Sequence, residues 1–372
     1  MNTDIAALQA IGWSVDEDGR PTDAAWRAGI AEHPGARPVR VVEQHRSGYI
    51  VADGLGEGYA VESLPEWQRP RFPAEQRPGV GDWLLIADLD TPPPKVVALL
   101  PRRTAIKRGA AGDHYRQQLI AANVDTVFVV CGLDADFNLR RIERYLLLVR
   151  GGAEPVIVLT KADRASADAA SGVPDAVATL AHLAAEGITV RAVNAKDPDS
   201  VAALQPWLGP GRTVVLVGSS GAGKSTLTNT LLGSERMKTN TVRENDARGR
   251  HTTTHRVLIP LPSGACLIDT PGMRELKPTG EEQVAENFSD VEAVAAQCRF
   301  RDCAHGREPG CAVRAAIEAG TLDAQRYANY RKLSEEVAGA AGKLAQRRSE
   351  NAAARVPGKA VNKRLDDRYG RE

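Results

Sequence analysis

The spacing of apolar residues changes twice along the chain. Residues 1–36 show no sustained period, and we interpret them as an extension. From Val39 to about Leu100, short apolar runs alternate with turn residues such as Asp53-Gly54 and Pro78-Gly79, which is typical of a small β-barrel. An oligonucleotide-binding (OB) fold and an SH3-like barrel both have this pattern. Five strands are predicted, in VRVVEQ (39–44), SGYIVAD (47–53), GYAVES (58–63), DWLLIAD (82–88) and KVVALL (95–100).

A second pattern begins near residue 120, where apolar runs alternate with segments of helical period. Strand-helix alternation of this kind predicts an α/β fold with a mostly parallel sheet, whose ligands bind at the carboxyl ends of the strands. Strands are predicted at 124–133, 155–163, 188–196 and 213–217, and helices at 139–152, 175–186 and 201–208.

The strand at 213–217 runs directly into a glycine-rich turn that fits the phosphate-loop pattern G-x-x-x-x-G-K-[ST]. In such a loop the backbone N–H groups wrap a phosphate chain, and the following helix adds the positive end of its dipole. Lys224 is expected to reach the β- and γ-phosphates, and the Ser225 hydroxyl to hold Mg²⁺. The predicted phosphate-binding residues are Gly218, Ser219, Ser220, Gly221, Ala222, Gly223, Lys224, Ser225 and Thr226.

Two short motifs at predicted strand ends indicate that the base is guanine. Thr160-Lys161-Ala162-Asp163 (the guanine motif) fits [NT]-K-x-D, and its carboxylate can accept two hydrogen bonds that adenine cannot donate. The Lys161 stem can pack along the base, and the Thr160 hydroxyl can pin neighbouring loops. Asn194-Ala195-Lys196 (the companion loop) fits the position where a backbone N–H meets guanine O6.

A third motif, DTPG, follows the strand at 267–269. Asp269 is expected to hold Mg²⁺ through water, and the Gly272 N–H to meet the γ-phosphate. Each of these short motifs alone is weak evidence, but together with a phosphate loop they predict a GTP site.

The order of the motifs is unusual for a GTPase. The guanine motif (160–163) and companion loop (194–196) precede the phosphate loop (218–225) and DTPG (269–272), whereas an ordinary GTPase has them afterwards. The same parallel sheet can be assembled if its old ends are joined through residues 197–212 and the chain is opened after the DTPG strand. The sequence therefore predicts a circular permutation.

Three cysteines and one histidine lie within fourteen residues near the end of the chain. Cys298, Cys303, His305 and Cys311 (the cysteine cluster) supply a complete tetrahedral ligand set for a structural zinc. Segments of helical pattern at 282–297 and 311–320 flank this set, which predicts a metal loop between helices. Cys131 and Cys266 lie in apolar strands and are expected in the core. This cysteine usage favours metal binding in a reducing cytoplasm over disulfides.

The chain as a whole is nearly neutral, but two of its segments are basic. The 372 residues carry a formal net charge of only +1, so any basic surface is local. Arg102, Arg103, Lys107 and Arg108 follow the last barrel strand and form either a solvated linker or a nucleic-acid contact. Residues 343–372 carry nine Lys/Arg against four Asp/Glu, a net of +5, and are interpreted as a nucleic-acid contact or a solvated tail.

The sequence predicts neither membrane insertion nor secretion. No run of 18 or more apolar residues is present, as a membrane span requires, and the first residues lack the basic start and apolar run of a secretory signal. A cytoplasmic location is expected.

Residues 37–340 resemble the circularly permuted GTPases of small-ribosomal-subunit biogenesis called RsgA. The motifs that carry the resemblance are QLIAANVD, TKAD, GSSGAGKSTLTN, GRHTTTH, DTPGMRE and the cysteine cluster. The resemblance implies an OB-fold barrel at 37–107, a permuted GTPase domain at 108–280 and a helical zinc-binding domain at 281–340, between an extension (1–36) and a basic tail (341–372). Asn194 replaces the more usual serine, which changes little because that contact comes from the backbone.

The resemblance also implies a function and partners. The family acts late in maturation of the small (30S) ribosomal subunit and contacts its rRNA, with GTP hydrolysis timing release. A monomer is expected. The alternatives are a GTP-gated switch that binds another RNA or ribonucleoprotein, and a P-loop kinase in which the guanine motif is coincidental. Selectivity for GTP over ATP separates the kinase from the other two, and stimulation by small subunits but not by generic RNA separates those two from each other.

The catalytic group is sought in the segment between the phosphate loop and DTPG. GRHTTTH (249–255) lies where the first switch must be, and by resemblance Thr253 is the expected Mg²⁺ ligand, with Thr252 and Thr254 as alternatives. Met273 stands where many GTPases carry the glutamine that orients water, and methionine cannot do so. His251 is the candidate to position or deprotonate the water, His255 is a weaker one, and a solvent-facing switch histidine is the alternative. Slow intrinsic hydrolysis is expected, raised by a partner that orders the switch.

Overall fold

The computed structural model describes most of the chain, with gaps. The described residues are 4–45, 48–69, 72–87, 92–109, 117–134, 137–149, 152–163, 173–234, 256–269, 288–306, 308–335 and 338. The chain packs as two units, one made of residues 1–108 and 117–276, the other of residues 109–116 and 277–372.

The five strands predicted at the start of the first unit are confirmed. The bounds are β1 Arg37–Gln44, β2 Tyr49–Ala52, β3 Tyr59–Val61, β4 Trp83–Ala87 and β5 Lys95–Leu99. They pair antiparallel in the order β3-β2-β1-β4-β5, and a parallel bridge from Glu62 to Lys95 joins the two outer strands. The strands therefore close into a barrel around an apolar core that includes Val39, Val51 and Ile86.

Strands β6 Ala105–Gly109 and β7 Gln117–Ala122, which the sequence pattern did not predict, form a separate two-stranded sheet. They follow the barrel along the chain. The parallel sheet begins after them.

The predicted parallel sheet is also confirmed. Strands β8 Thr126–Gly132, β9 Glu154–Thr160, β10 Thr189–Ala192, β11 Thr213–Gly218 and β13 Cys266–Asp269 lie parallel in the order β10-β9-β8-β11-β13. Because these strands run the same way, the motifs that follow them meet at one edge of the sheet.

The helices of this sheet follow the predicted alternation with two differences. The bounds are α3 Leu139–Val149, α4 Val173–Thr179, α5 Ala181–Ala185, α6 Pro198–Val201 and α7 Lys224–Leu232. The helix predicted at 175–186 is divided at Leu180, whose N–H donates to Val177 as well as Ala176 and so tightens the turn. Residues Ala202–Trp207 form a 3₁₀-helix that contains Pro206, which has no N–H to donate to an α-helical bond.

Strand β12 Val257–Pro260, also unpredicted, joins the barrel to the parallel sheet. Val257 pairs antiparallel with Asp269 of β13 and with Glu43 of β1, which makes one continuous eleven-stranded sheet. Val257, two residues after the first-switch region (249–255), is therefore held by backbone pairing on both sides.

The first 36 residues are more than an extension, and this corrects the interpretation from the sequence. Helices α1 Ile5–Gln9 and α2 Ala24–Glu32 form there, and Asp23 caps α2 by accepting from the N–H groups of Ala25 and Trp26. The rings of Trp13 and Trp26 stack with centroids 4.8 Å apart, and Trp13 meets Trp83 of the barrel edge-on at 4.5 Å. The buried residues of this segment thus join a core that also contains Trp83 of β4 and side chains of the parallel sheet, and that is distinct from the core inside the barrel.

Arg40 of β1 ties three parts of the first unit together. Its buried guanidinium donates to the carbonyl oxygens of Ile11, Gly81 and Asn123, which belong to the N-terminal segment, the barrel and the entry to the parallel sheet. Burial lowers the pKa of Arg40 from its ordinary value. Three carbonyl acceptors offset part of the cost of burying this charge.

Arg102 and Arg103 also serve the fold. Arg102 makes a bidentate ion pair with buried Asp82 at 2.8 Å and donates to the carbonyls of Glu75 and Arg77. Arg103 lies 5.1 Å from the ring centroid of Trp26. These two side chains are bound within the fold and do not form a solvated linker, whereas the nucleic-acid contact, the other interpretation from the sequence, stays a prediction.

Between residues 288 and 335 the second unit consists of helices and the loop of the cysteine cluster. It contains α8 Ser289–Ala295, α9 Ala312–Glu318 and α10 at 324–335. Arg326 of α10 makes two hydrogen bonds of 2.6 and 2.7 Å to Asp290 of α8. Burial opposes ionisation of Asp290, but the bonds and charge of Arg326 outweigh it and lower the pKa of this carboxyl. The flanking helices predicted around the cysteine cluster are confirmed over these residues.

Across the described ranges, no helix has both the length and the apolar composition that a membrane crossing requires.

Candidate functional site

The loop between β11 and α7 has the backbone geometry that its glycines allow. Gly223 caps α7 in the left-handed region at φ 93°, and Gly221 has φ 85°. At Gly218 the β8 backbone comes so close that a Cβ would lie 2.2 Å from the Val130 carbonyl oxygen. These positions therefore require glycine, as a phosphate loop does.

Lys224 lies over the loop that precedes it. The residue is only 9% exposed, and its ammonium group donates to the carbonyl oxygens of Gly218 at 2.8 Å and Ser219 at 2.6 Å. Ser225, the next residue of α7, is exposed. A cation and a hydroxyl thus stand together at the N-terminal turn of a helix, where an anion is stabilised.

Thr160 connects the guanine motif to the phosphate loop. Its buried hydroxyl donates to the Ala222 carbonyl oxygen at 2.5 Å. A Cβ at Gly223 would lie 3.0 Å from the same hydroxyl oxygen. Two segments that are about sixty residues apart in sequence are therefore in direct contact, and the expectation that this threonine pins a neighbouring loop is confirmed.

The rest of the guanine motif is held in place by its neighbours. Lys161 adopts a left-handed backbone conformation (φ 61°), and its ammonium group pairs with Asp134 at 2.5 Å. The Ala162 N–H donates to the Val193 carbonyl at 3.3 Å, which places the motif beside the strand that leads to the companion loop. Asp163 is exposed at this edge.

The companion loop contacts the helix of the phosphate loop. The Thr230 hydroxyl of α7 donates to the Ala195 carbonyl at 2.6 Å. Within the loop, the Lys196 N–H donates to the Asn194 side chain at 3.1 Å, and the Ser200 hydroxyl accepts from the Asn194 N–H at 2.9 Å. Asn194 therefore shapes the turn that presents the backbone of this loop.

Asp269 ends β13, the strand next to β11. Its carboxylate and the Ser225 hydroxyl are oxygen donors that follow neighbouring parallel strands, and such donors suit Mg²⁺. The structure thus gathers at one edge the guanine motif, the companion loop, the phosphate loop and Asp269. His251, Thr252, Thr253, Thr254, His255, Gly272 and Met273 lie outside the described residues.

Asp134 is the residue of this edge that sequence reasoning missed. It follows β8 by two residues and pairs with Lys161. A polar residue just after a buried strand was the available signal, but it belongs to no motif. The pair gives Lys161 a fixed position beside the guanine motif.

The cysteine cluster is brought together in the second unit as predicted. One ligand atom from each of Cys298, Cys303, His305 and Cys311 lies within 4.8 Å of all the others. His305 Nδ1 is 3.5 Å from Cys298 Sγ and 3.6 Å from Cys311 Sγ. Sulfur and nitrogen ligands at their usual zinc distances and a tetrahedral angle would be about 3.6 Å apart. These residues therefore fit a tetrahedral zinc.

The family match and the similar proteins of known name agree with each other. The pattern of the RsgA GTPase family matches residues 99–279. The small ribosomal subunit biogenesis GTPase RsgA of Xanthomonas axonopodis pv. citri (strain 306) is 68% identical over 358 residues, 96% of this chain and 95% of that protein. The protein of the same name from Xanthomonas campestris pv. campestris (strain B100) is 69% identical over 354 residues, 95% of this chain and 94% of that protein.

Two solved structures share the fold. The circularly permuted GTPase YloQ matches with a TM-score of 0.54 and 24% identity, over 82% of this chain and 96% of that one. YjeQ from Thermotoga maritima matches with a TM-score of 0.57 and 24% identity, over 82% of this chain and 99% of that one. The circular permutation predicted from motif order is confirmed.

Proposed function

The chain belongs to the RsgA GTPase family, and on that premise we propose that it hydrolyses GTP at the phosphate loop while bound to the small ribosomal subunit. It is a GTPase of small-subunit biogenesis. The contact between the Thr160 hydroxyl and the Ala222 carbonyl carries the proposal, because it joins the base-reading and phosphate-binding motifs into one pocket. Hydrolysis then times release from the maturing subunit.

GTP is held from both ends in this pocket. At the base, Asp163 accepts from the guanine N1–H and 2-amino group, the Lys161 stem packs on the ring, and a companion-loop N–H donates to O6. At the phosphates, the Gly218–Ser225 backbone donates its N–H groups, and Lys224 exchanges its two carbonyl contacts for the β- and γ-phosphates. Ser225, Asp269 and Thr253 would hold Mg²⁺, which neutralises phosphate charge when bound.

Replacing Asp163 by asparagine is expected to reverse the base preference. The asparagine oxygen still accepts from N1–H, but its NH₂ group stands where the second carboxylate oxygen accepted from the guanine 2-amino group. Guanine therefore loses one hydrogen bond and meets a donor with a donor, whereas the 2-carbonyl of xanthine accepts from that NH₂. We expect GTP affinity to fall by about 100-fold and xanthosine triphosphate to become the better ligand. Titration of both nucleotides measures this. Asp175→Asn, on exposed α4, is the matched control. Unchanged GTP preference would contradict the assignment.

The attacking water needs a positioning group, and we assign this role to His251. A neutral imidazole can accept the proton of the water that attacks the γ-phosphate, which Met273 cannot do. Purified small subunits are expected to raise GTP turnover, and generic RNA is not. In that assay His251→Ala should lower stimulated turnover by about 100-fold with little change in GTP affinity. Stimulated turnover that survives the substitution would reject this role, and His255→Ala then tests the second histidine.

The same assay tests the proposed function itself. ATP in place of GTP should support no stimulated turnover, whereas a P-loop kinase would use it. Stimulation by generic RNA as strong as by small subunits would favour the alternative function, a switch acting on another RNA or ribonucleoprotein.

The remaining parts of the chain are assigned around this activity. We place an OB-fold barrel at 37–107, because its strand order closes through the Glu62–Lys95 bridge, the GTPase domain at 108–280 and a zinc-binding domain at 281–340. The cysteine cluster would hold a structural zinc that cross-links a short helical domain. The barrel and the basic tail (341–372) are proposed to contact rRNA. The protein is expected to act as a monomer in the cytoplasm.

A further inference from the structure

Phe300 stands out from the other aromatic side chains of the described residues. Its side chain is 42% exposed, whereas the other described aromatics are buried or half-buried. A single exposed apolar side chain is common on protein surfaces, so exposure alone indicates nothing. The loop that carries Phe300 and the charges next to it distinguish this side chain from an isolated exposed residue.

The backbone of Phe300 is fixed between two members of the cysteine cluster. Cys298 and Cys303 flank the four-residue loop 299–302, in which every residue is exposed. The Arg299 N–H donates to the Gly310 carbonyl at 3.1 Å, and the Cys303 N–H donates to the Phe300 carbonyl at 3.3 Å. The ring is therefore presented to solvent by an ordered loop, and ordering it for binding costs little conformational entropy.

Positive charge lies beside the ring, and a second arginine follows Phe300 in the sequence. The Arg299 guanidinium carbon lies 5.5 Å from the Phe300 ring centroid, a cation–π distance. Arg301 is exposed on the other side of Phe300 in the sequence, with Asp302 as the only acidic residue of the loop. An exposed aromatic ring flanked in sequence by two arginines combines a stacking surface with charges that complement phosphate.

We propose that Phe300 stacks on one unpaired RNA base, with Arg299 and Arg301 supplying positive charge for the adjoining phosphates. An RNA base fits this surface better than a lipid, because a membrane contact needs a larger apolar area than one ring. The arginines favour RNA over an apolar protein surface, for which their charge would have no partner. The inference rests on the proposed function, since the RNA is that of the small subunit.

The test compares three substitutions in the full-length protein. Binding to purified small ribosomal subunits is measured with a non-hydrolysable GTP analogue, together with chemical footprinting of the rRNA. Phe300→Ala and Phe300→Leu should each weaken binding by about tenfold and remove protection at one unpaired site, whereas Phe300→Tyr should keep both. Val177→Ala, which removes an aliphatic side chain of similar exposure on α4, is the control and should change neither.

Two results would overturn the proposal. If leucine at position 300 binds as well as phenylalanine, the contact is with an apolar protein surface and not a base. If the alanine variant keeps full affinity and every protection, the ring contacts nothing on the subunit. If the unsubstituted protein does not bind the subunit at all, the proposed function fails. Titration of the unsubstituted protein and the Phe300 variants with single-stranded oligoadenylate then tests base stacking independently of the subunit. Basal GTP turnover is expected to be the same in all variants.

Discussion

Lys224→Ala is expected to lower GTP turnover by about 1000-fold, the largest catalytic loss we predict. The ammonium group is buried at the first residue of α7 and already donates to two carbonyl oxygens of the phosphate loop. It needs only to exchange these acceptors for phosphate oxygens, so no long movement is required. Alanine removes the cation where negative charge accumulates in the transition state. Single-turnover hydrolysis measures the loss in the chemical step, and nucleotide titration measures any loss of GTP affinity.

The control for this variant must separate charge from folding. Lys332→Ala removes an exposed lysine of α10 and should leave turnover unchanged. Thermal unfolding of the Lys224 variant should stay close to that of the parent in the absence of nucleotide, since the loop carbonyls lost as acceptors can be hydrated. Turnover within about threefold of the parent in a folded Lys224→Ala protein would remove this lysine from the proposed mechanism.

The sequence was most informative where the local backbone, a hydrogen bond or a metal ion requires a particular residue type. Gly218 and Gly223 have no room for a side chain, so the glycines of the phosphate-loop motif follow from backbone geometry. Thr160 was expected to pin a neighbouring loop, and its hydroxyl bonds to Ala222. The cysteine cluster combines close spacing with a complete tetrahedral set, which left little ambiguity about its assembly.

Contacts between distant segments could not be predicted in this way. Trp13 and Trp26 lie in a stretch without hydrophobic period, and only their stacking on each other and the edge-on contact of Trp13 with Trp83 explain why tryptophan stands at these positions. Arg40 looks like a solvent-facing residue in a strand, yet its partners come from three separate segments. Such placements depend on tertiary packing, which overrides local pattern.

Strand β12, beside the edge of the sheet where the nucleotide motifs meet, could not be predicted from the sequence pattern either. Four residues are too few to show a period, and the strand follows a switch region rather than a turn signal. Its pairing with both Glu43 and Asp269 gives the barrel a backbone connection to the carboxylate that would face Mg²⁺.

Cys303→Ser is expected to unfold the second unit locally while the GTP site is retained. The described helices α8 and α9 have only seven residues each, too short to be stable in water alone, so their order depends on packing and on the metal cross-link. Structural zinc contributes about 10–16 kcal/mol of binding free energy in small metal-dependent domains, and serine is a much poorer ligand than a thiolate. Hydrogen exchange over residues 288–335 and metal content measure the effect.

Matched variants decide whether the metal or the packing is responsible. Asp302→Asn lies next to the same ligand, leaves all four ligands intact and should keep the metal and the exchange protection. A chelator added to the unsubstituted protein should reproduce the exchange pattern of Cys303→Ser, because both remove the same cross-link. If the chelator strips the metal and residues 288–335 stay protected, packing such as the Arg326–Asp290 ion pair is sufficient, and zinc has no structural role in this unit.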